Sequence, residues 1–196
     1  MAYITAAGLL SRLGLSNPSA DESDLVDAAV SGACAGIDLW CGRRFDSTDT
    51  TETRTFKPYG DSVVVDDIAT TTALTVSDNG TSVSLSSLVL DPANGIGVDG
   101  RSGWPYWRLT YADGTYWTTD GNKRTVSIVA TWGWAATPAN VVNAAYILAK
   151  DIFQNKDVRG GAAGFGEYGV VRIQSDSQMR ELLAPFRRER RKWGMA

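Results

Sequence analysis

The chain has 196 residues, of which 43% are hydrophobic, with a formal charge of −3 and no histidine. A chain of this length buries a hydrophobic core without help from a metal or a disulfide, and none of its apolar runs is long enough to cross a bilayer as a helix. The missing imidazole removes the commonest general base and every Ser–His or Cys–His nucleophile. The small negative charge gives no global pull toward nucleic acid.

The opening Met1-Ala2-Tyr3-Ile4-Thr5 has neither the basic start nor the apolar stretch of a secretory signal. Thr5 caps a predicted first helix that runs to about Leu13, where Gly14 ends it and Asn17-Pro18 makes a turn. Ser19 or Asp21 caps a second helix, with Asp21, Glu22 and Asp24 near its positive end. Val26, Val30, Ala33, Ile37 and Trp40 follow helical spacing along it. Gly32 and Gly36 cost helix propensity, and close approach of another helix accounts for them. Gly42 stops the helix. Cys34 and Cys41 on one helix lie about 10 Å apart along its axis, too far for a disulfide. They read as buried thiols in a reducing compartment.

From Asp46 to about Thr131 the composition turns to Thr, Ser, Val, Asp and Gly. Asn79-Gly80 separates residues 74–77 from 83–85 and predicts a tight hairpin. Asp113-Gly114 between 107–111 and 115–118 predicts another. Asp99-Gly100 and Asp120-Gly121 are further turns, and Val63-Val64-Val65 and residues 126–130 are short apolar strands. Thr137-Pro138 starts a third long helix, as a cap followed by proline. Val141, Ala145, Leu148 and Ile152 form its apolar stripe, with Val142, Ala149 and Phe153 beside it. Residues 155–168 are polar and then glycine-rich. Val170-Val171-Arg172-Ile173 predicts a short strand. Ser175 or Asp176 caps a last helix carrying Met179, Leu182 and Leu183, with Pro185 and a basic tail beyond. The fold class is α+β: a small bundle of four helices with a long antiparallel β-insertion between the second and third. The predicted division is a single domain over 1–196, with a helical core at 1–45 and 133–196 and the insertion at 46–132. The helices at the two ends are expected to pack together.

Several motifs tempt a catalytic reading. The Gly164-Phe165-Gly166-Glu167-Tyr168-Gly169 run has dinucleotide-loop spacing, but it follows a helix and precedes a short strand, the reverse of the context that chemistry needs. Asp46, Asp49 and Glu52 lack calcium-loop spacing. Asp66 and Asp67 point to opposite faces of a strand, so they make no acid–base pair. Trp104, Trp107, Trp117, Trp132 and Trp134 lack interleaved Lys and Arg, which favours core or protein-contact roles over base stacking. With no usable constellation left, the chain reads as a non-enzyme that carries no metal and no cofactor. The tail Arg187-Arg188-Glu189-Arg190-Arg191-Lys192-Trp193 is the exception to the bland charge. It suits pairing with carboxylates and anchoring through one indole, and as a second option the neutralising of DNA phosphates.

Three blocks carry a family resemblance. The first is Tyr3-Ile4-Thr5, Leu13-Gly14-Leu15 and the helix ending Ile37-Asp38-Leu39-Trp40-Cys41-Gly42-Arg43-Arg44-Phe45. The second is Ala130-Thr131-Trp132-Gly133-Trp134 before Thr137-Pro138. The third is Phe165-Gly166-Glu167-Tyr168-Gly169-Val170-Val171 with Leu182-Leu183-Ala184-Pro185-Phe186-Arg187-Arg188. In this order they resemble the head–tail connector, or adaptor, proteins of long-tailed bacteriophages. The resemblance implies a virion subunit, assembled in the bacterial cytoplasm, that forms a twelvefold ring of its own copies beneath the portal protein. DNA passes through such a ring without sequence readout, a tail-side neck or tail-terminator protein attaches below, and no membrane is involved. On that reading Arg187, Arg188, Arg190, Arg191, Lys192 and Trp193 meet the portal, and Phe165 and Tyr168 meet a ring neighbour when residues 155–168 order on assembly. Self-association is expected to be weak until the portal templates it. Another neck or tail protein of the tail-terminator kind is the alternative, and a carbohydrate-binding β domain a more distant one.

Overall fold

The computed structural model describes residues 2–155, 170 and 172–188. The chain divides into two compact units, one made of 1–45 with 137–196 and the other of 46–136.

The first unit is helical. Helix α1 spans Ala6–Leu13; the Thr5 hydroxyl accepts from the Gly8 amide, and Gly14 closes the helix in a left-handed conformation. Helix α2 spans Ala20–Cys41. Its start is a reciprocal cap: the Ser19 side chain accepts from the Glu22 amide at 3.2 Å, and the Glu22 carboxylate accepts from the Ser19 amide at 2.8 Å. Two orphan donors are satisfied at once. Helix α3 spans Ala139–Gln154, and a short α4 spans Ser177–Leu183, capped by Asp176 through the Met179 amide.

Helices α2 and α3 form the centre of this unit. Val26, Ala29, Val30, Ala33 and Ile37 from α2 are buried, as are Val141, Ala144, Ala145, Leu148 and Ala149 from α3. Gly32 and Gly36 lie on the buried face of α2, where the sequence calls for close approach. Complete burial of a side chain such as Ile37 or Leu148 contributes about 1.5–3 kcal/mol. Helix α1 meets α3 through a glycine, since a Cβ at Gly8 would lie 2.1 Å from the Tyr146 hydroxyl. Arg12 stacks 3.6 Å over that tyrosine ring.

Two sequence expectations in this unit are corrected. Thr137 does not cap α3; Pro138 holds the cap position, and the Thr137 hydroxyl donates to the Phe45 carbonyl at 2.8 Å. The strand expected over residues 170–173 is absent, for Val170 and residues 172–175 are helical. Ile173 is fully buried there, and Arg172 pairs with Asp151 of α3 at 3.0 Å. Tertiary contact overrides the β-branched preference of the segment.

The second unit is antiparallel β. Its strands are β1 Glu52–Phe56, β2 Ser62–Ile68, β3 Thr75–Asp78, β4 Thr81–Val83, β5 Leu88–Asp91, β6 Tyr106–Tyr111 and β7 Val126–Ala130. They form two sheets, ordered β1-β7-β3-β4 and β2-β6-β5. Asn79-Gly80 makes the expected β3–β4 hairpin, with Asp78 opposite Thr81. Alternation along β2 buries Val63 and Val65 and leaves Val64 exposed. These meet Leu88, Leu109, Val76, Val126, Ile128, Trp117 and Trp132 in one core.

The hairpin expected across Asp113-Gly114 does not form. Strand β6 already has β2 on one side and β5 on the other, so it offers no edge to residues 115–118. That segment crosses instead. The Trp117 amide and indole donate to the carbonyls of Gly60 and Asp61, both at 2.9 Å, and the Thr118 amide donates to the Asp78 carboxylate at 2.9 Å. The Thr125 hydroxyl then closes onto the Thr118 carbonyl.

Candidate functional site

The basic tail is the sequence feature with the clearest contact chemistry, and its root lies on the end of α2. Helix α2 stops at Gly42, which takes a φ of 66° that glycine tolerates best. The last carbonyls of a helix lack intrahelical donors. The Cys41 carbonyl receives the Arg188 amide at 2.7 Å. One residue earlier, the Arg187 guanidinium lies 4.9 Å from the centroid of the Trp40 ring. Both arginines bring positive charge to the negative end of the helix dipole.

Beneath them runs a stack of aromatic rings. Phe186 is buried and meets Phe45 edge-on at 6.0 Å, and Phe45 meets Tyr3 edge-on at 6.1 Å. Such pairs contribute about 0.5–1.5 kcal/mol beyond area burial. The Tyr3 hydroxyl reaches the Cys34 carbonyl at 3.3 Å. Helix α4 delivers the segment to this place: Met179 and Leu183 are buried, and a 3-10 turn over Ala184–Phe186, containing Pro185, redirects the chain.

The two thiols and the phenol in this footing are held neutral. Burial pushes the Cys34 thiol up and the Cys41 thiol up to about 12. Burial, with the nearby Asp38 charge second, drives the Tyr3 phenol far above its ordinary range. These thiols are poor nucleophiles near neutral pH. The two cysteines are buried and unpaired with each other, as their spacing predicts. Among the described residues no group of three or more Cys, Asp or Glu side chains is arranged to hold a metal ion. Glu52 and Asp66 both bind Arg54, at 2.9 and 3.0 Å, and Asp67 is buried on the opposite face of β2.

The tryptophans of the β unit are mostly committed to its interior. Trp104, Trp117, Trp132 and Trp134 are buried. The Trp104 indole donates to Asp99 at 2.9 Å and the Trp132 indole to the Glu52 carbonyl at 2.8 Å, while the rings of Trp104 and Trp134 lie 5.1 Å apart. Their faces are therefore not offered to bases or sugars. The exposed aromatics among the described residues of this unit are tyrosines, Tyr59 at 50% and Tyr116 at 75%.

Of the residues assigned to partner contact, Arg187 and Arg188 are brought together at the α2 end. Arg190, Arg191, Lys192 and Trp193 lie outside the described residues, and so do Phe165 and Tyr168. Sequence reasoning missed the footing itself, Trp40, Cys41 and Phe45. Their signal was present as an aromatic and a buried thiol at the end of an apolar helix stripe, with a second aromatic just past the stop glycine.

No family model matches the chain, and no curated protein matches it. Solved structures do. At 23% identity and a TM-score of 0.57, 99% of this chain superposes on 94% of a chain from the neck of an empty GTA particle computed with C6 symmetry. At 18% identity and a TM-score of 0.51, the whole chain superposes on 97% of a chain from the neck of a native GTA particle computed with C12 symmetry. At these identities the likeness establishes a shared fold, and that fold spans both the helical and the β unit.

Proposed function

We propose that the chain is a structural neck subunit of a phage-like particle, a head–tail connector that forms a ring beneath the portal and continues the DNA channel toward the tail. The observation that carries this reading is the end-to-end likeness to chains from particle necks, since a likeness over the β unit alone would fit many β domains. The organisation of the site supports it. A basic C-terminal segment is rooted on a helix end, the tryptophans are sequestered, and the buried thiols are held protonated. Contact and charge are what these residues supply, and no proton transfer is asked of them.

In this reading the partners are the portal protein, copies of the same chain in a twelvefold ring, and a tail-side neck or tail-terminator protein. DNA passes through without sequence readout. Arg190, Arg191, Lys192 and Trp193 contact the portal beyond the root formed by Arg187 and Arg188. Phe165 and Tyr168 contact a ring neighbour. No catalytic step is assigned.

Electron microscopy of the purified chain mixed with DNA-free portal tests the proposal. A ring of added density on one end of the portal is expected. Absence of binding to portal, with binding instead to the end of a tail tube, would replace the connector reading with a tail-terminator one.

A further inference from the structure

The basic segment and the place where the chain leaves the helical unit share one residue. Phe45 is the last residue of that unit before the β unit, and Thr137 is the first residue after it. Phe45 is fully buried, its carbonyl holds the Thr137 hydroxyl at 2.8 Å, and its ring is gripped between Tyr3 and Phe186. Phe186 is followed directly by Arg187 over Trp40 and by Arg188 on the Cys41 carbonyl. We propose that Phe186, Arg187 and Arg188 form a strap that fixes the crossover at Phe45 and Thr137, so that a partner engaging the basic segment acts on that crossover. In this division Arg187 and Arg188 are positioning residues, and the contact residues lie beyond them.

The geometry gives the strap two separable components. One is apolar: removing the Phe186 ring leaves one side of Phe45 unpacked. The other is polar: the Arg188 amide on the Cys41 carbonyl and the Arg187 guanidinium over the Trp40 ring close the helix end. A three-residue strap after the last helix opens at lower cost than the α2–α3 core, and it opens locally rather than with the whole unit. The partner's effect is then a shift between a closed and an open strap, which requires the partner to favour one of the two.

Hydrogen exchange on the full chain tests this without any partner. Phe186→Ala removes the ring. Arg188→Pro removes the amide donor, and Arg187, at φ −69° and ψ 124°, already has the extended conformation a following proline requires. Arg188→Ala removes the charge but keeps the donor. Exchange of amides in 42–48 is expected to rise about fivefold or more in Phe186→Ala and Arg188→Pro, the scale of one hydrogen bond. Arg188→Ala, which keeps the amide donor, should raise exchange less than Arg188→Pro does, and α3 and β7 should be unchanged in all three. The strap is overturned by unchanged exchange at 42–48, by an equal rise in Arg188→Ala, or by a uniform rise across α3. A second arm rests on the connector reading: bound portal should change exchange at 42–48. Portal that binds and leaves this segment unchanged removes the coupling. Failure to bind at all counts against the connector reading alone, since the partner-free arm decides the strap.

Discussion

Gly8 lies so close to Tyr146 that an added methyl would sit 2.1 Å from the phenol oxygen. Alanine at an ordinary helical glycine stabilises by about 1 kcal/mol. Here the ring cannot retreat freely, because Arg12 covers one face at 3.6 Å and the hydroxyl approaches the Thr5 amide at 3.4 Å. Gly8→Ala is expected to destabilise by about 1–2 kcal/mol through overpacking. In a Tyr146→Ala background the same change should stabilise. Urea denaturation of the four chains measures both, and a Gly8→Ala effect of the same sign in both backgrounds would remove the contact from the account.

A second glycine is more tightly constrained. Gly133, in the middle of Trp132-Gly133-Trp134, has a φ of 105°, and a Cβ there would lie 1.8 Å from the Asp46 carbonyl oxygen. Its amide donates to the Asp67 carbonyl at 2.7 Å. The obstruction is backbone rather than a flexible side chain. Gly133→Ala therefore combines dihedral strain with overpacking and should cost about 3 kcal/mol or more. Loss of the near-ultraviolet dichroism of the buried tryptophans at temperatures the parent chain survives is the expected sign.

Alkaline pH should weaken the helical unit. The Cys41 thiol titrates near its ordinary value of 9.0 when unfolded, and burial pushes it up to about 12 in the fold. The unfolded chain thus releases its proton first, and stability falls as pH rises from about 9 toward 12. The raised thiol of Cys34 acts in the same direction, and so does the Tyr3 phenol at higher pH. Stability measured from pH 7 to 11 should decline, and Cys41→Ala should flatten part of the slope. Iodoacetamide at pH 8 should label neither cysteine until the chain is unfolded, and rapid labelling of the native chain would contradict the burial.

Charge reversal separates contact from anchoring in the basic segment. On the connector reading proposed above, Arg190→Glu together with Arg191→Glu should reduce portal retention at least tenfold in a chain that still folds. The parent interaction should weaken as salt is raised, because exposed charges are screened over about 8 Å at physiological ionic strength. A pull-down with DNA-free portal reads this, and retention equal to the parent chain would place the contact elsewhere. Loss of DNA retention with portal binding intact would assign the segment to phosphate contact.

Local chemistry was the legible part of this fold. Thr5, Ser19, Asp176 and Gly42 act within a few residues of themselves, and each caps where its type predicts. Asn79-Gly80 makes its hairpin for the same reason. What escaped was decided at a distance. Strand β7 inserts between β1 and β3, and nothing near Val126 or Ala130 announces those neighbours. Residues 115–118 have strand composition but find both sides of β6 occupied. Residues 172–175 are pulled into helix by the burial of Ile173 and the Arg172–Asp151 pair. The candidate site divides likewise. Arg187 and Arg188 stood out as charge, and Trp40 and Cys41 as the end of an apolar stripe, whereas the pairing of the two joins distant parts of the chain and could not be read locally.

The sheet edges bear on how such a chain survives before it meets any partner. An open edge strand is a template for pairing with another molecule and a route to fibrils. Of the strands at the ends of the two sheets, β4 has 3 residues and β5 has 4, too short to seed an extended ladder. Strand β1 is longer, but it carries Glu52 and Arg54, and Arg54 is tied to Asp66 of β2 and lies 4.7 Å over the Trp132 ring. A foreign strand would have to accommodate those charges. The fourth end strand, β2, has 7 residues, and its C-terminal end is occupied: the Asp67 carbonyl receives the Gly133 amide at 2.7 Å and Ile68 bridges Trp132. Each edge is thus short, charged or partly covered, which disfavours pairing with a foreign strand.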